Sequence, residues 1–498
     1  MRRGAPCLVA LALVLAGSSP ARAAEPSADG WAAPDRTFRY ALPVSKNPVR
    51  VALEEIGLLG AGYLQYLQTT SNSADWDLDY SWGTLGKKIA GSAIAFDTNR
   101  FDTNWVTHPV AGLLYYSAAR ANRLGMGEAF LVTFAASTAW EYFGEFREQV
   151  SINDMIVTPV GGLVIGEALV QLGAFFDRAP KTAGSQTFAW IFGAPAKVHD
   201  TLDGVSVIRE REEQGTHDLR ATVGVGATTQ AGYHYFDTRV ALSSRIVHAP
   251  GYERRGRTGR WLTDGNVSSL GIEATFSEGE PVDARFAAQI ALASYLEQSL
   301  RGPSDRLMGH STLTSIGLGF QYAFHQWDRR RQSAADRIAS LDLVTIGLDQ
   351  WLHFGPAKLH LVLGTAGSFA SPTALAIDDY RAVHSPSGVA SVALDQGYTY
   401  GIGGRFVPSL ALHVGPVALH AEMSLFAARS IAGYDRTKVG DYVYFADHEV
   451  TYGGGAALRF GMLGLDLHVV HRERTSAVRE VTREYGESSV GLDASLVY

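Results

Sequence analysis

The chain has 498 residues, a formal net charge of −7 and one cysteine, Cys7. A charge this mild over this length carries no basic footprint, which argues against nucleic acid as a partner. One cysteine excludes a disulfide or a cysteine-based metal site.

The first segment, MRRGAPCLVALALVLAGSSPARAAEP, has Arg2 and Arg3 as a basic start, an apolar run from Ala5 to Ala16, and a small-x-small site at Ala21-Arg22-Ala23. This predicts a secretory signal peptide over 1–23, too short for a membrane span. Cys7 falls early in its apolar run, where no lipid anchor is read. Residues 24–50 read as a leader. From 51 to 178 the pattern is helical, with segments near 51–68, 83–95, 109–123, 127–149 and 152–176. Twelve uncharged residues separate Glu128 from Glu141, and 12 more separate Asp154 from Glu167. A span wants about 18 or more, so no helix here is expected to cross a membrane by length. Residues 179–216, with "APKTAGSQTF" and the charged "REREEQG", read as a linker.

From 217 onward the period changes to two. Val417, Leu419, Ala421, Met423 and Leu425 alternate with Ala418, His420, Glu422 and Ser424, and Leu463, Leu465, Leu467 and Val469 alternate with Gly464, Asp466 and His468. Strict alternation is the strand period. Runs of about 10 residues suit a tilted membrane strand, with one face toward lipid and one toward a polar lumen. Tight turns at 354–358, 413–416 and 461–464 are expected to alternate with long polar loops at about 371–396, 429–447 and 472–487. Strands are placed near 218–229, 235–247, 266–276, 282–294, 311–324, 340–353, 357–370, 397–413, 415–428, 448–460, 463–474 and 488–498. The expected fold class is therefore α+β: a helical domain followed by an antiparallel transmembrane β-barrel of about 12 strands over 217–498. The inward polar residues Arg405, Glu422, Asp466, His360, His413, His420 and His468 are expected to pair as lumen fillers. The closing stretch, SVGLDASLVY, puts Val490, Leu492, Ala494, Leu496 and Tyr498 on one face. A terminal aromatic strand of this kind resembles the segment that the barrel-assembly machinery of Gram-negative bacteria reads. The expected location is the outer membrane, with its lipid as partner.

The stretch "WEYFGEFREQVSINDMIVTP" (140–159) sets Trp140, Glu141, Glu145, Ser151, Asn153 and Asp154 in a segment that otherwise reads as buried helix. Acids are costly to bury without a partner. Glu141 and Glu145 share a helix face at four-residue spacing. Ser151 to Asp154 reads as a capping box that starts the next helix. Asn104 lies in "NWVTHPV", where Pro109 suits a first helical position and His108 the cap region. Gly161, Gly162 and Gly166 permit close helix packing, and Glu167 follows. His108, Glu141, Glu145 and Asp154 are predicted to converge on one buried polar site, either structural, metal-binding or a general base.

The order "HPVAGLLYYSAAR", "WEYFGE", "SINDMIVTPVGG" and "IGEAL" resembles a family of bacterial envelope proteins known as a domain of unknown function, over about 95–178. More distantly it is similar to the small helical membrane proteins related to the teicoplanin-resistance protein VanZ, which carry Gln and Arg before Ser-x-x-Asp where this chain has Glu148-Gln149. Neither resemblance implies a reaction. Two functions follow from the whole reading. The first is an outer-membrane barrel with a helical plug or periplasmic module, serving envelope maintenance or transport. The second is an outer-membrane hydrolase of lipid or cell-wall material. There is no nucleophile elbow, HExxH or P-loop, and His310-Ser311 lacks a surrounding catalytic pattern. No cofactor is evident.

Overall fold

The computed structural model describes residues 45–69, 78–179, 181–205, 216–249, 251–330, 333–384, 391–433 and 443–498. The expected signal peptide, most of the expected leader and "REREEQG" lie outside these residues.

The first half is a helical module. It contains α1 (Pro48–Thr69), α2 (Trp82–Ile89), α3 (His108–Ala121), α4 (Met126–Ala139), α5 (Asp154–Arg178) and α6 (Ala183–Leu202). Strands β1 (Ile94–Ala95) and β2 (Val150–Ser151) form a short parallel pair within it. The π-helical turn Thr103–Thr107 leads into α3, and a second, Trp140–Gly144, extends α4. The segment read as a linker is largely α6, which packs on α5 through Phe188 and Phe192 against Phe176. Helix α5 has 25 residues and is apolar enough to cross a membrane by length and composition, with 72% of its most apolar window buried. The expected helix over 152–176 has this length, but it was not expected to reach span length because Glu167 was counted as an interruption of its apolar run. That carboxylate is neutralised in place by Arg120, whose Nε lies 2.9 Å away. Close packing of α3 on α5 requires glycine: a Cβ at Gly112 would lie 1.9 Å from the Thr158 carbonyl oxygen, and one at Gly162 2.3 Å from the Gly112 carbonyl carbon.

The second half is a closed antiparallel barrel. Its segments are β3 (Thr216–Gln230), β4 (Tyr233–Val247), β5 (Gly256–Thr263), β6 (Val267–Ser277), β7 (Glu280–Arg301), β8 (Met308–Asp328), β9 (Ser333–Phe354), β10 (Ala357–Pro372), β11 (Tyr400–Val414), β12 (Val417–Ala432), β13 (Phe445–Phe460), β14 (Leu463–Val478) and β15 (Val481–Val497). Both β5 and β6 pair antiparallel with β7, end to end. They form one strand broken at Asp264 and Gly265, both at positive φ. The barrel thus has 12 strand positions, closed by β15 on β3. The expected long loop at 472–487 is instead a hairpin: β14 and β15 stay paired to Val478↔Val481, around a tight turn with Arg479 at φ 51°. Its charged residues suggested a loop, but several are spent on ion pairs inside the barrel. Short turns after β9, β11 and β13 share one rim with Tyr498. The opposite rim carries the longer 373–399 segment, with α7 (Ile377–His384) and α8 (Val392–Asp395).

Register decides which face is interior. Arg474 of β14 donates to Asp336 of β9 at 2.8 Å, and Arg472 of β14 to Asp283 of β7 at 2.6 Å. Arg245 of β4 pairs with Asp349 of β9. Such distant strands meet only across a lumen, so the polar face is inside. His360 with Asp349 at 3.1 Å and His420 with Asp466 at 2.9 Å belong to the same filling. Leu341, Phe320, Ala288 and Leu270 form one row of register partners on the opposite, outer face. These are the residues packed with Val157, Leu163, Val164 and Leu172 of the module. The helices therefore dock on the outside of the barrel wall and do not plug the lumen. The lumen is already occupied by its own ion pairs.

Candidate functional site

The two π-helical turns bracket the acidic site. Such turns insert an extra residue into a helix and occur frequently where side chains must be re-aimed. The one at 103–107 turns Asn104 inward, and the one at 140–144 does the same for Glu141. Backbone bonds from Val150 to the Ala93 carbonyl and from Ile152 to the Ala95 carbonyl, both 2.9 Å, hold the two sides of the site together.

Asp97 is the hub. Its Oδ1 accepts from Asn104 Nδ2 at 2.7 Å and from the Tyr400 hydroxyl at 2.7 Å. Its Oδ2 accepts from Asn99 Nδ2 at 2.9 Å and from Ser151 Oγ at 3.3 Å. Burial alone would raise its pKa, but the hydrogen bonds from Tyr400, Asp154 and Asn104 hold it below the ordinary carboxylate range. Asp154 hydrogen-bonds this carboxylate. Two adjacent carboxyls cannot both ionise at low cost. Asp97 collects the donors, so the shared proton resides on Asp154.

The remaining predicted residues fall around this pair. His108 Nε2 lies 3.3 Å from Asp154 Oδ2, without hydrogen-bond alignment. Glu141 Oε2 accepts the Ser151 backbone N–H at 2.8 Å, and Ser151 Oγ accepts the Asp154 N–H at 3.2 Å. Ser151 thus holds the turn that leads into α5, whose N-cap position is Asn153, and Glu141 takes the Ser151 N–H. Asn153 donates to Asp154 Oδ1 at 2.8 Å. Glu145 turns away, accepting from Trp140 Nε1 at 2.9 Å. Burial, then the neighbouring Glu148, pushes Glu145 up to about 8. Pro109 backs onto Gly161, and Gly166 onto the Tyr116 ring. Glu167 stands apart from the site, held by Tyr116, Arg120 and Gln171.

Four participants were not singled out from the sequence. They are Asp97, Lys88, Tyr398 and Tyr400. Lys88 is fully buried and donates to the Glu141 and Glu145 carbonyl oxygens at 2.6 and 2.8 Å. Burial lowers its pKa, while Glu141 and Glu145 oppose that shift. Tyr398 and Tyr400 each receive a hydrogen bond from Asn104, at 2.8 and 2.7 Å. A repeated tetrapeptide, Phe-Asp-Thr-Asn at 96–99 and 101–104, was the available signal for Asp97. Nothing local could link it to tyrosines about 300 positions later.

Chemically, the site holds and shares a proton between carboxyls. Among the described residues, no three His, Asp or Glu side chains converge in a metal-binding arrangement. Ser151 is committed to the Asp154 N–H and to Asp97, and His108 approaches Asp154, so these residues form no serine–histidine pair.

Residues 93–194 match the family model of the Domain of unknown function (DUF3943). The match takes in the site's carboxylates and most of α6, leaves out Lys88, Tyr398 and Tyr400, and stops before the barrel. No curated protein matches the chain. Among solved structures, the NanC porin is 10% identical, covering 55% of this chain and 98% of its own, at a TM-score of 0.24. The translocator domain of the autotransporter NalP from Neisseria meningitidis is 13% identical over 63% of this chain and 96% of its own, at 0.22. The CymD monoaromatic hydrocarbon channel is 10% identical over 57% and 89%, at 0.21. The barrel assignment rests on the strand register described above.

Proposed function

We propose that this is an outer-membrane protein of the Gram-negative envelope whose barrel is a sealed platform and whose helical module is the working part in envelope maintenance. The observation that carries this reading is the lumen. Ion pairs bridge it, and among the described residues a segment packs inward at each rim. At the rim near Tyr498, the segment between β4 and β5 folds inward, with Gln298 donating to the Gly251 and Arg254 carbonyls at 2.8 and 2.7 Å. At the other rim, Ile377 and Tyr380 of α7 pack on Phe445 and Val478. A lumen filled by ion pairs favours a platform over a transport route. The module meanwhile presents a proton-sharing acidic site joined to the barrel through Tyr398 and Tyr400. Outer-membrane delivery rests on the signal peptide over 1–23 and on the terminal aromatic strand, which the barrel-assembly machinery would read.

Two measurements test the reading. Fractionation should recover the protein in the outer membrane, and deletion of Tyr498 should reduce its assembly. Purified protein in planar bilayers should give no steady conductance. Recovery from the soluble periplasm refutes the location, and a stable open channel refutes the platform.

A further inference from the structure

The module's outward surface is unusual for a domain facing water. Ile56 and Leu64 of α1, Val110 and Leu114 of α3, and Leu131 and Phe134 of α4 are all exposed, Ile56 and Leu131 by 66% and 64%. No acidic or basic residue occurs in 56–69, 109–119 or 129–139. Contiguous apolar patches of this kind mark an interaction surface. The charged groups that border this surface lie at the two ends of the bundle. Level with Tyr498 are Lys46 with Glu128 at 2.7 Å, Arg50 with Asp203 at 2.6 Å, and Lys197 with Asp177 at 2.6 Å. At the other end are Lys88, Glu145 and Glu148, beside the exposed rings of Tyr80 and Trp82. Aromatic side chains at the ends of an apolar zone suit a membrane interface.

The dimensions agree. Helices α1 and α5 have 22 and 25 residues, about 33 and 38 Å at 1.5 Å per residue, against a hydrocarbon layer of about 30 Å. Helix α5 runs along the barrel wall from the Tyr400 end to the Tyr498 end, where the Phe175 ring lies 4.6 Å from His217 and His217 5.4 Å from Tyr498. It covers part of the same outer face that elsewhere exposes Leu465, Leu467, Val469 and Leu492. The module's apolar girdle therefore continues the barrel's own.

We propose that the helical module lies within the membrane beside the barrel, with lipid acyl chains as the occupant of its outward face. This rests on the outer-membrane reading above and replaces both a periplasmic and a lumenal position for the helices. The acidic site then sits inside a helical bundle walled by the barrel on one side and by lipid on the other.

The test uses the chain from residue 24, which lacks Cys7 and so permits single-cysteine labelling. Leu114→Cys and Leu131→Cys report on two different helices, and Leu467→Cys reports on the barrel's outer face. Each is labelled with an environment-sensitive fluorophore and refolded into phosphatidylcholine vesicles containing chain-brominated phosphatidylcholine, with heat-modifiable gel mobility as the check on folding. The expected result is a blue-shifted emission and a loss of fluorescence at positions 114 and 131 matching that at 467. Quenching at 467 but not at 114 and 131 overturns the proposal and leaves the barrel reading standing. Absence of quenching at 467 removes the outer-membrane reading and the proposal with it.

Discussion

Replacing Asp97 by Asn should cost far more than replacing its partner Asp154 by Asn, although the two side chains touch. Asp97 presents two acceptor oxygens to Asn99, Asn104, Ser151 and Tyr400. An amide turns one of those oxygens into a donor. The cheapest orientation places it at Oδ2, where the Ser151 hydroxyl can rotate but the Asn99 amide cannot. One charge-assisted bond is lost and those from Asn104 and Tyr400 become neutral. With charged hydrogen bonds worth about 1.5–3 kcal/mol and neutral ones about 1, one bond lost and two weakened sum to about 2.5–7 kcal/mol, toward the lower end for a part-buried group. Asp154 carries the shared proton, so an amide there keeps a donor for Asp97 and an acceptor for Asn153, at a cost of about 0–1 kcal/mol. In a unit of the module's size, 1 kcal/mol moves the melting temperature by about 2–4 °C. Thermal melts of the helical circular dichroism signal in micelles should therefore separate Asp97→Asn from wild type by about 10 °C and leave Asp154→Asn almost coincident with it. Equal shifts, or the reverse order, refute the proton placement.

Three other outcomes follow from the same geometry. Arg474→Ala leaves Asp336 and Asp447 buried without their shared cation, which lies 2.8 and 3.0 Å from them, and should destabilise the barrel by about 3–5 kcal/mol, read as loss of the heat-modifiable folded band at lower temperature. Glu145 is held protonated to about 8 in the fold and ionises near its ordinary 4.5 when unfolded. The stability it contributes is complete below pH 4.5 and is lost as pH rises toward 8, so Glu145→Gln should flatten the fall in melting temperature across that window; an unchanged slope counts against the assignment. Gly112→Ala should force α3 from α5 at a cost of about 1–3 kcal/mol or more, whereas Gly57→Ala, which meets open space, should be neutral or stabilising in the same melt.

The barrel was legible because alternation is a local property: each strand records its own lipid and lumen faces every second residue. The 12 strand positions, the short turns at 355, 415 and 461 and the acidic segment at 140–154 were all read from such local patterns. Local signals failed where the meaning of a charge depended on a distant partner. Glu167 looked like an interruption of α5 until Arg120 was placed beside it. The charges of 472–487 looked like a loop until Arg472 and Arg474 met Asp283 and Asp336 across the lumen. Asp97 looked like any loop aspartate until Tyr400, brought from the start of β11, reached it. The side of the barrel wall on which the helices rest was likewise beyond the sequence. An apolar helix can pack equally well against an apolar outer wall or be imagined within a pore, and only the cross-lumen ion pairs, which fill the interior, leave the outer face as the surface it can bury against.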